Sequence, residues 1–287
     1  MIPGQNIVAW SQRAPWAEQR QVEQDLIISR ALVDIFDDAF LAAELRFRGG
    51  TALNKLHFPE PLRYSEDIDL VRTSAGPIGP ILDRLRERLE PWLGPANFVQ
   101  SHVAPKFRFR VPAEDGLDAP IRLKLEINTR EIVAHDPVVM APFAVENPWF
   151  TGATAIPTFS NEEMLATKLR ALLQRDKGRD LYDLAHGLQV FSDLECARII
   201  ELFVRYLADG DAQITRAHAE ERMLAKLARG NLLLDLRPLL SADSAARITD
   251  ETTGDAVRLI FEKLIAKIPG EPWARTPEAK EKLGIAW

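Results

Sequence analysis

Two short runs carry residue types that can do chemistry together: Gly49-Gly50-Thr51-Ala52-Leu53-Asn54-Lys55 and, after a brief connection, Arg63-Tyr64-Ser65-Glu66-Asp67-Ile68-Asp69-Leu70. If the second run is a strand, alternation puts Asp67 and Asp69 on one face and Ile68 and Leu70 in the core behind it. Two carboxylates a few ångströms apart repel each other unless a cation sits between them, so Asp-x-Asp is a natural holder of Mg²⁺ or Mn²⁺. Gly49 and Gly50 have no side chains to keep a phosphate off the backbone, and a helix opening at Thr51 would aim its free N–H groups at that anion. One run grips phosphate and the other grips its metal, as a metal-dependent nucleotidyl transfer site requires. Each run also has a plainer reading, a turn and a solvated strand face. Their order, Lys55 and the apolar residues between the acids favour the joint one.

These runs need elements to hold them. Apolar residues from Val22 to Leu41 recur at spacings of three and four, predicting one long or two shorter helices over about 18–45 that lead into the glycine pair. Trp10 and Trp16 precede them as anchors to the core or to a partner. A helix is expected over about 81–93, closed by Gly94-Pro95. Lys106-Phe107-Arg108-Phe109-Arg110-Val111 and Arg122-Leu123-Lys124-Leu125-Glu126-Ile127-Asn128 alternate strictly and predict two strands with one buried face each, joined as a hairpin. Beside the Asp-x-Asp strand, Glu126 would deliver a third carboxylate, unless it only pairs with a cation across the sheet. Lys106, Arg108, Arg110, Arg122 and Lys124 would bring positive charge near a triphosphate or an RNA backbone, or be a solvated face. Prolines at 137, 142, 148 and 157 suggest an extended crossing that leads to a second, helical domain.

Ser160 with Glu163 reads as a capping box for the first helix of that domain. Lys168 falls within its apolar stripe, where a lysine either snorkels to the edge or reaches a phosphate. In Arg175-Asp176-Lys177-Gly178-Arg179-Asp180-Leu181-Tyr182-Asp183, Gly178 should break the helix and Asp180 should cap the next one. Arg179 could contact a phosphate, and Asp183 could orient Lys168 or Arg179. Further helices are expected near 195–207, 217–228 and 253–267, with Ile268-Pro269-Gly270 ending the compact part.

The whole chain sets outer bounds. With 287 residues it can bury one large core or two modest ones, and 46% hydrophobic with 27% charged residues is a globular composition. The single cysteine, Cys196, leaves no intramolecular disulfide and no cysteine-rich zinc site. No apolar run is long enough to span a membrane and the N-terminus lacks a signal pattern, so a cytoplasmic protein is expected. A net charge of −6 argues against wholesale coating of nucleic acid but leaves room for a local basic groove.

Gly49-Gly50-Thr51-Ala52-Leu53-x-Lys55 followed by Arg63-x-Ser65-Glu66-Asp67-Ile68-Asp69-Leu70 resembles the nucleotidyl transferase AbiEii/AbiGii toxin family, a branch of the DNA polymerase β-like nucleotidyltransferase superfamily. The segment 163–172 around Lys168 and the cluster Arg179-Asp180-x-x-Asp183 resemble its later motifs, so the likeness runs mainly over 44–190. Gly-Thr stands where the superfamily usually has Gly-Ser, and the gap to the first aspartate is long. The resemblance implies an α+β fold, with a small mixed sheet and flanking helices over 1–157 and a mainly helical domain over 158–287. It implies Asp67, Asp69 and Glu126 as metal ligands, with Lys168 and Asp180 also catalytic. Gly49, Gly50, Thr51, Lys55, Arg63, Ser65, Arg179 and Asp183 would be nucleotide-binding. It further implies an NTP substrate, an acceptor such as a tRNA 3′ end, and a separately encoded antitoxin, often a DNA-binding repressor. A protein hydroxyl as acceptor and a nucleotide-binding regulator without turnover stay open, the last disfavoured by the intact Asp67/Asp69 pair.

Overall fold

Alternation of apolar and polar side chains builds a seven-stranded mixed sheet in the first of two units, Met1–Ser160. The computed structural model describes residues 2–101, 104–230, 232–285 and 287. The strands are β1 (Leu45–Arg48), β2 (Asp67–Arg72), β3 (Asn97–Val99), β4 (Lys106–Val111), β5 (Ile121–Asn128), β6 (Val139–Asn147) and β7 (Phe150–Thr158), in the order β3-β4-β5-β2-β1-β7-β6. β2 runs antiparallel to β1 and parallel to β5, and β4 and β5 pair antiparallel as expected of the two alternating runs. Phe107, Phe109, Leu123, Leu125, Ile68 and Leu70 form the buried side.

Among the described residues, five α-helices accompany the sheet: α1 (Gly4–Trp10), α2 (Gln19–Phe36), α3 (Ala39–Glu44), α4 (Gly49–Ala52), which runs on into a π-helical turn over Leu53–His57, and α5 (Gly79–Leu93). The periodic stretch before the glycines is thus two helices. The Asp38 carboxylate starts the second by accepting the Phe40 and Leu41 N–H groups. Helix does not run on into the glycine pair, because Leu45-Arg46-Phe47-Arg48 alternates and becomes β1 between β2 and β7. The proline-punctuated segment is also more ordered than a bare crossing. It is the hairpin β6–β7, joined to β1 at Phe47↔Thr158, with Pro142 tolerated on the edge strand. Trp10 and Trp16 are core anchors, and both indole N–H groups donate to the Asp25 carboxylate at 2.8 and 3.3 Å.

The second unit, Asn161–Trp287, is helical: α6 (Asn161–Gln174), α7 (Gly178–Val190), α8 (Cys196–Ala208), α9 (Arg216–Ala228), α10 (Ala242–Ala246), α11 (Asp250–Lys263) and α12 (Thr276–Lys282). α6 packs against α7 and α8, and α7 against α11. The chain stays packed beyond Ile268: Glu220 accepts from the Trp273 N–H and the Thr276 hydroxyl, and Trp287 meets Phe261 at a tilt with ring centroids 5.4 Å apart. Among the described residues, no helix is long and apolar enough to cross a membrane.

Candidate active site

Strand register decides which side chains share the polar face of the sheet. Lys106 stands opposite Glu126, Glu126 opposite Asp69, and Asp69 opposite Arg48, one row across four strands. The next row is Arg108, Lys124 and Asp67, and the row after it Arg110 and Arg122. The three carboxylates expected to act together are therefore neighbours, with Glu126 beside Asp69 because β5 lies parallel to β2.

Their electrostatics are under tension. Lys124 Nζ lies 2.8 Å from Asp67 Oδ2 and 3.6 Å from Glu126 Oε2, and Lys106 Nζ lies 3.0 Å from Glu126 Oε2. Burial and then the neighbouring Asp67 push the Asp69 carboxyl above the ordinary aspartate range; Glu126 adds to this, while Lys124 and Arg48 pull the other way. Burial works against the Lys124 ammonium, yet Asp67, Asp69 and Glu126 hold its pKa above the usual lysine value. Among the described residues, no three Asp, Glu, His or Cys groups are already drawn together around a metal position. The donor set nonetheless suits a hard divalent ion. It is all oxygen, lies on one face, and already draws the Lys124 ammonium between two of its carboxylates as a stand-in cation.

The glycine turn presses against these acids. Gly49 has φ +86°, a left-handed conformation that favours glycine, and a Cβ there would run into the Asp69 carboxylate. A Cβ on Gly50 would run into the Arg63 guanidinium, which is buried beneath the turn and donates to the Tyr64 carbonyl. The Thr51 hydroxyl donates to the Asp67 carbonyl, so the 2.8 Å contact between Thr51 Oγ1 and Ser65 Oγ takes its proton from Ser65. Asn54 closes the loop, accepting the Leu62 and Arg63 N–H groups and donating to the Gly50 carbonyl. Lys55 is held by Asp25 and Ser29, each 2.9 Å from Nζ. Thr51, Lys55, Arg63 and Ser65 line one cavity of about 760 Å³, within the range of small-molecule sites.

The remaining expected residues form a cluster inside the second unit. Lys168 Nζ lies 3.3 Å from Asp180 Oδ1 and 2.8 Å from Asp183 Oδ2, all three side chains being buried. Arg175 grips Asp180 through both carboxylate oxygens, at 2.7 and 2.9 Å. Burial would raise the Asp180 carboxyl, but the Arg175 hydrogen bonds and the charges of Lys168 and Arg175 outweigh it and hold the group below the usual range. Asp180 does not cap α7. Lys177 is the residue before the helix, and Asp180, inside the first turn, is committed to Arg175 and Lys168 instead. Gly178 opens α7 rather than only ending α6; its N–H donates to Asp235, and a Cβ would meet the Leu232 carbonyl. Arg179 is half-exposed on the same turn.

Residues 30–266 match the model of the family described as nucleotidyl transferase AbiEii toxin, type IV TA system. The chain belongs to that family. As an AbiEii protein it is a nucleotidyltransferase of the toxin half of a toxin–antitoxin system, which implies an NTP substrate and a separate antitoxin. The match extends well beyond the stretch 44–190 that carries the motif resemblance.

Solved structures agree on the fold. MenT4, a nucleotidyltransferase toxin from Mycobacterium tuberculosis H37Rv, superposes with a TM-score of 0.65 at 19% identity, covering 97% of this chain and 98% of that one. A putative nucleotidyltransferase from H. pylori gives 0.53 at 19% identity, covering 88% of this chain and all (100%) of that one. JHP933 from Helicobacter pylori gives 0.51 at 19%, covering 88% and 96%. No curated protein matches the sequence significantly.

Two neighbours of these clusters escaped the motif reading. Arg48 faces Asp69 and binds Glu131, a placement hinted at only by the alternation of residues 45–48. Arg175, the clamp on Asp180, lies five residues before it with no sequence feature to mark it.

Proposed function

We propose that this AbiEii nucleotidyltransferase is Mg²⁺- or Mn²⁺-dependent and moves a nucleotidyl group from an NTP onto the 3′ end of a tRNA. The acceptor oxygen bonds to the α-phosphorus, the bond to pyrophosphate breaks, and the acceptor proton passes to solvent or a nearby carboxylate. The observation that carries this is the Asp69↔Glu126 register with Asp67 on the same face, three acids that already draw Lys124 and Lys106 to them. Asp67, Asp69 and Glu126 would hold the divalent ion, which when bound polarises the phosphoryl oxygens and activates the acceptor hydroxyl. Gly49 and Gly50 admit the phosphates to the backbone. Thr51 and Ser65 fix the turn to the Asp67 carbonyl while lining, with Lys55 and Arg63, the cavity beside it.

Lys168, Asp180 and Asp183 serve by positioning α6 against α7, with Arg179 as the half-exposed cation of that turn. We place the reaction in the cytoplasm, where NTP and tRNA meet, with a DNA-binding repressor as antitoxin. Transfer of label from each α-labelled NTP to cellular RNA and protein, with wild type and Asp69→Asn compared, tests the reading. Label in a tRNA-sized band from wild type alone is expected. Label in protein, or equal label from both enzymes, would overturn it.

A further inference from the structure

We propose that Arg108, Arg110 and Arg122, at the cationic end of the polar sheet face, form a docking groove for the sugar-phosphate backbone of an RNA acceptor. This rests on the transferase reading and deepens it by naming the surface that receives the acceptor. Arg110 stands directly across from Arg122, and Arg108 across from Lys124. Like charges in direct cross-strand pairs destabilise a sheet. Lys106 and Lys124 relieve theirs on Glu126 and Asp67, whereas among the described residues no carboxylate pairs with any of the three arginines. All three are exposed.

Together with Asn97 and Lys124 they line a groove of about 520 Å³ whose acids are Glu66 and Asp67, with Asp67 at the end toward the carboxylate row. A strand that docks there is led to the carboxylate row. Arg108 and Arg110 project from the same face of one strand ~7 Å apart, of the order of the step between neighbouring phosphates in an extended backbone. Each guanidinium fork can take two oxygens of one phosphate. Repeated, unneutralised forks suit a repeated anion, which a single protein hydroxyl in its loop does not supply.

The test is anisotropy of a 5′-fluorescein-labelled tRNA mixture titrated with the full chain, without NTP, over a range of salt. Wild type is compared with the triple variant Arg108→Gln/Arg110→Gln/Arg122→Gln and with the matching Arg→Lys triple. Loss of three phosphate contacts should flatten the log Kd against log salt slope by about 2–3 and weaken binding by about tenfold or more. The lysine triple should recover part of the affinity, which also shows that the sheet has folded. In the transfer assay the RNA KM should rise while the NTP KM stays constant.

Wild-type affinity and slope in the glutamine triple, or no tRNA binding by wild type, would overturn the groove. So would loss of protein labelling with tRNA binding untouched, which would make the surface a protein dock. If no transfer is seen with any acceptor but the triple still loses tRNA binding, the groove stands and the transferase reading alone falls.

Discussion

The two carboxylate clusters of this chain are built from the same residue types and are held in opposite electrostatic states. In the second unit, Asp180 and Asp183 are buried against Lys168 and Arg175, and Asp180 is held below the ordinary aspartate range. On the sheet, Asp67, Asp69 and Glu126 share a half-buried face with two lysines, and Asp69 is held above it. A cluster whose charges are matched inside the protein has little left to offer a ligand. One in which burial and neighbouring acids hold the Asp69 carboxyl above its ordinary range favours an added cation, and in our proposal that makes the sheet the site of chemistry and gives the helical cluster a fastening role.

The sharpest break in this comparison is Asp69→Asn, expected to lower nucleotidyl transfer by about a thousandfold or more through loss of a metal ligand, with the fold retained by circular dichroism. Transfer at near wild-type rate would remove the site assignment. In the other cluster, Lys168→Met removes the buried cation that Asp180 and Asp183 share, leaving Asp180 to Arg175, and should cost about 3–5 kcal/mol of stability in denaturant unfolding.

The pH dependence sharpens the same point. A depressed Asp180 contributes stability that is complete above about pH 4 and lost as pH falls through its folded-state value. Acid unfolding should therefore move to higher pH in Asp180→Asn. Gly49→Ala tests the contact between turn and acid. A left-handed alanine costs about 1–2 kcal/mol, and the displaced Asp69 carboxylate should reduce transfer far more than that loss of stability alone.

The smallest effect is the opposite sign at Asp69. Its raised pKa means stability falls as pH rises from the unfolded value toward the folded one, so Asp69→Asn should melt slightly higher than wild type at neutral pH. Added Mg²⁺ should raise the melting temperature of wild type and not of the variant; equal shifts would place the ion elsewhere.

Much of the sheet was legible beforehand because strand period is local. Ile68 and Leu70 had to be buried if Asp67 and Asp69 faced outward, and the alternating runs at 106–111 and 122–128 could only be half-buried strands. The short strand 45–48 was hidden by the helical periodicity just before it, and the β6–β7 hairpin by prolines, of which Pro142 sits on the edge strand β6 and Pro157 near the end of β7. Asp180 looked like a cap because local sequence cannot show a guanidinium folding back from Arg175.

By itself the sequence determined which residues could hold a metal and phosphate, and that half-buried strands would carry them, since residue type and alternation are properties of neighbouring positions. Only the tertiary structure decided that Glu126 stands beside Asp69, that Lys124 bridges two of the acids, and that Arg110 faces Arg122 with no carboxylate paired to either among the described residues. Register between strands distant in the chain sets those meetings, and with them the charge that each group feels.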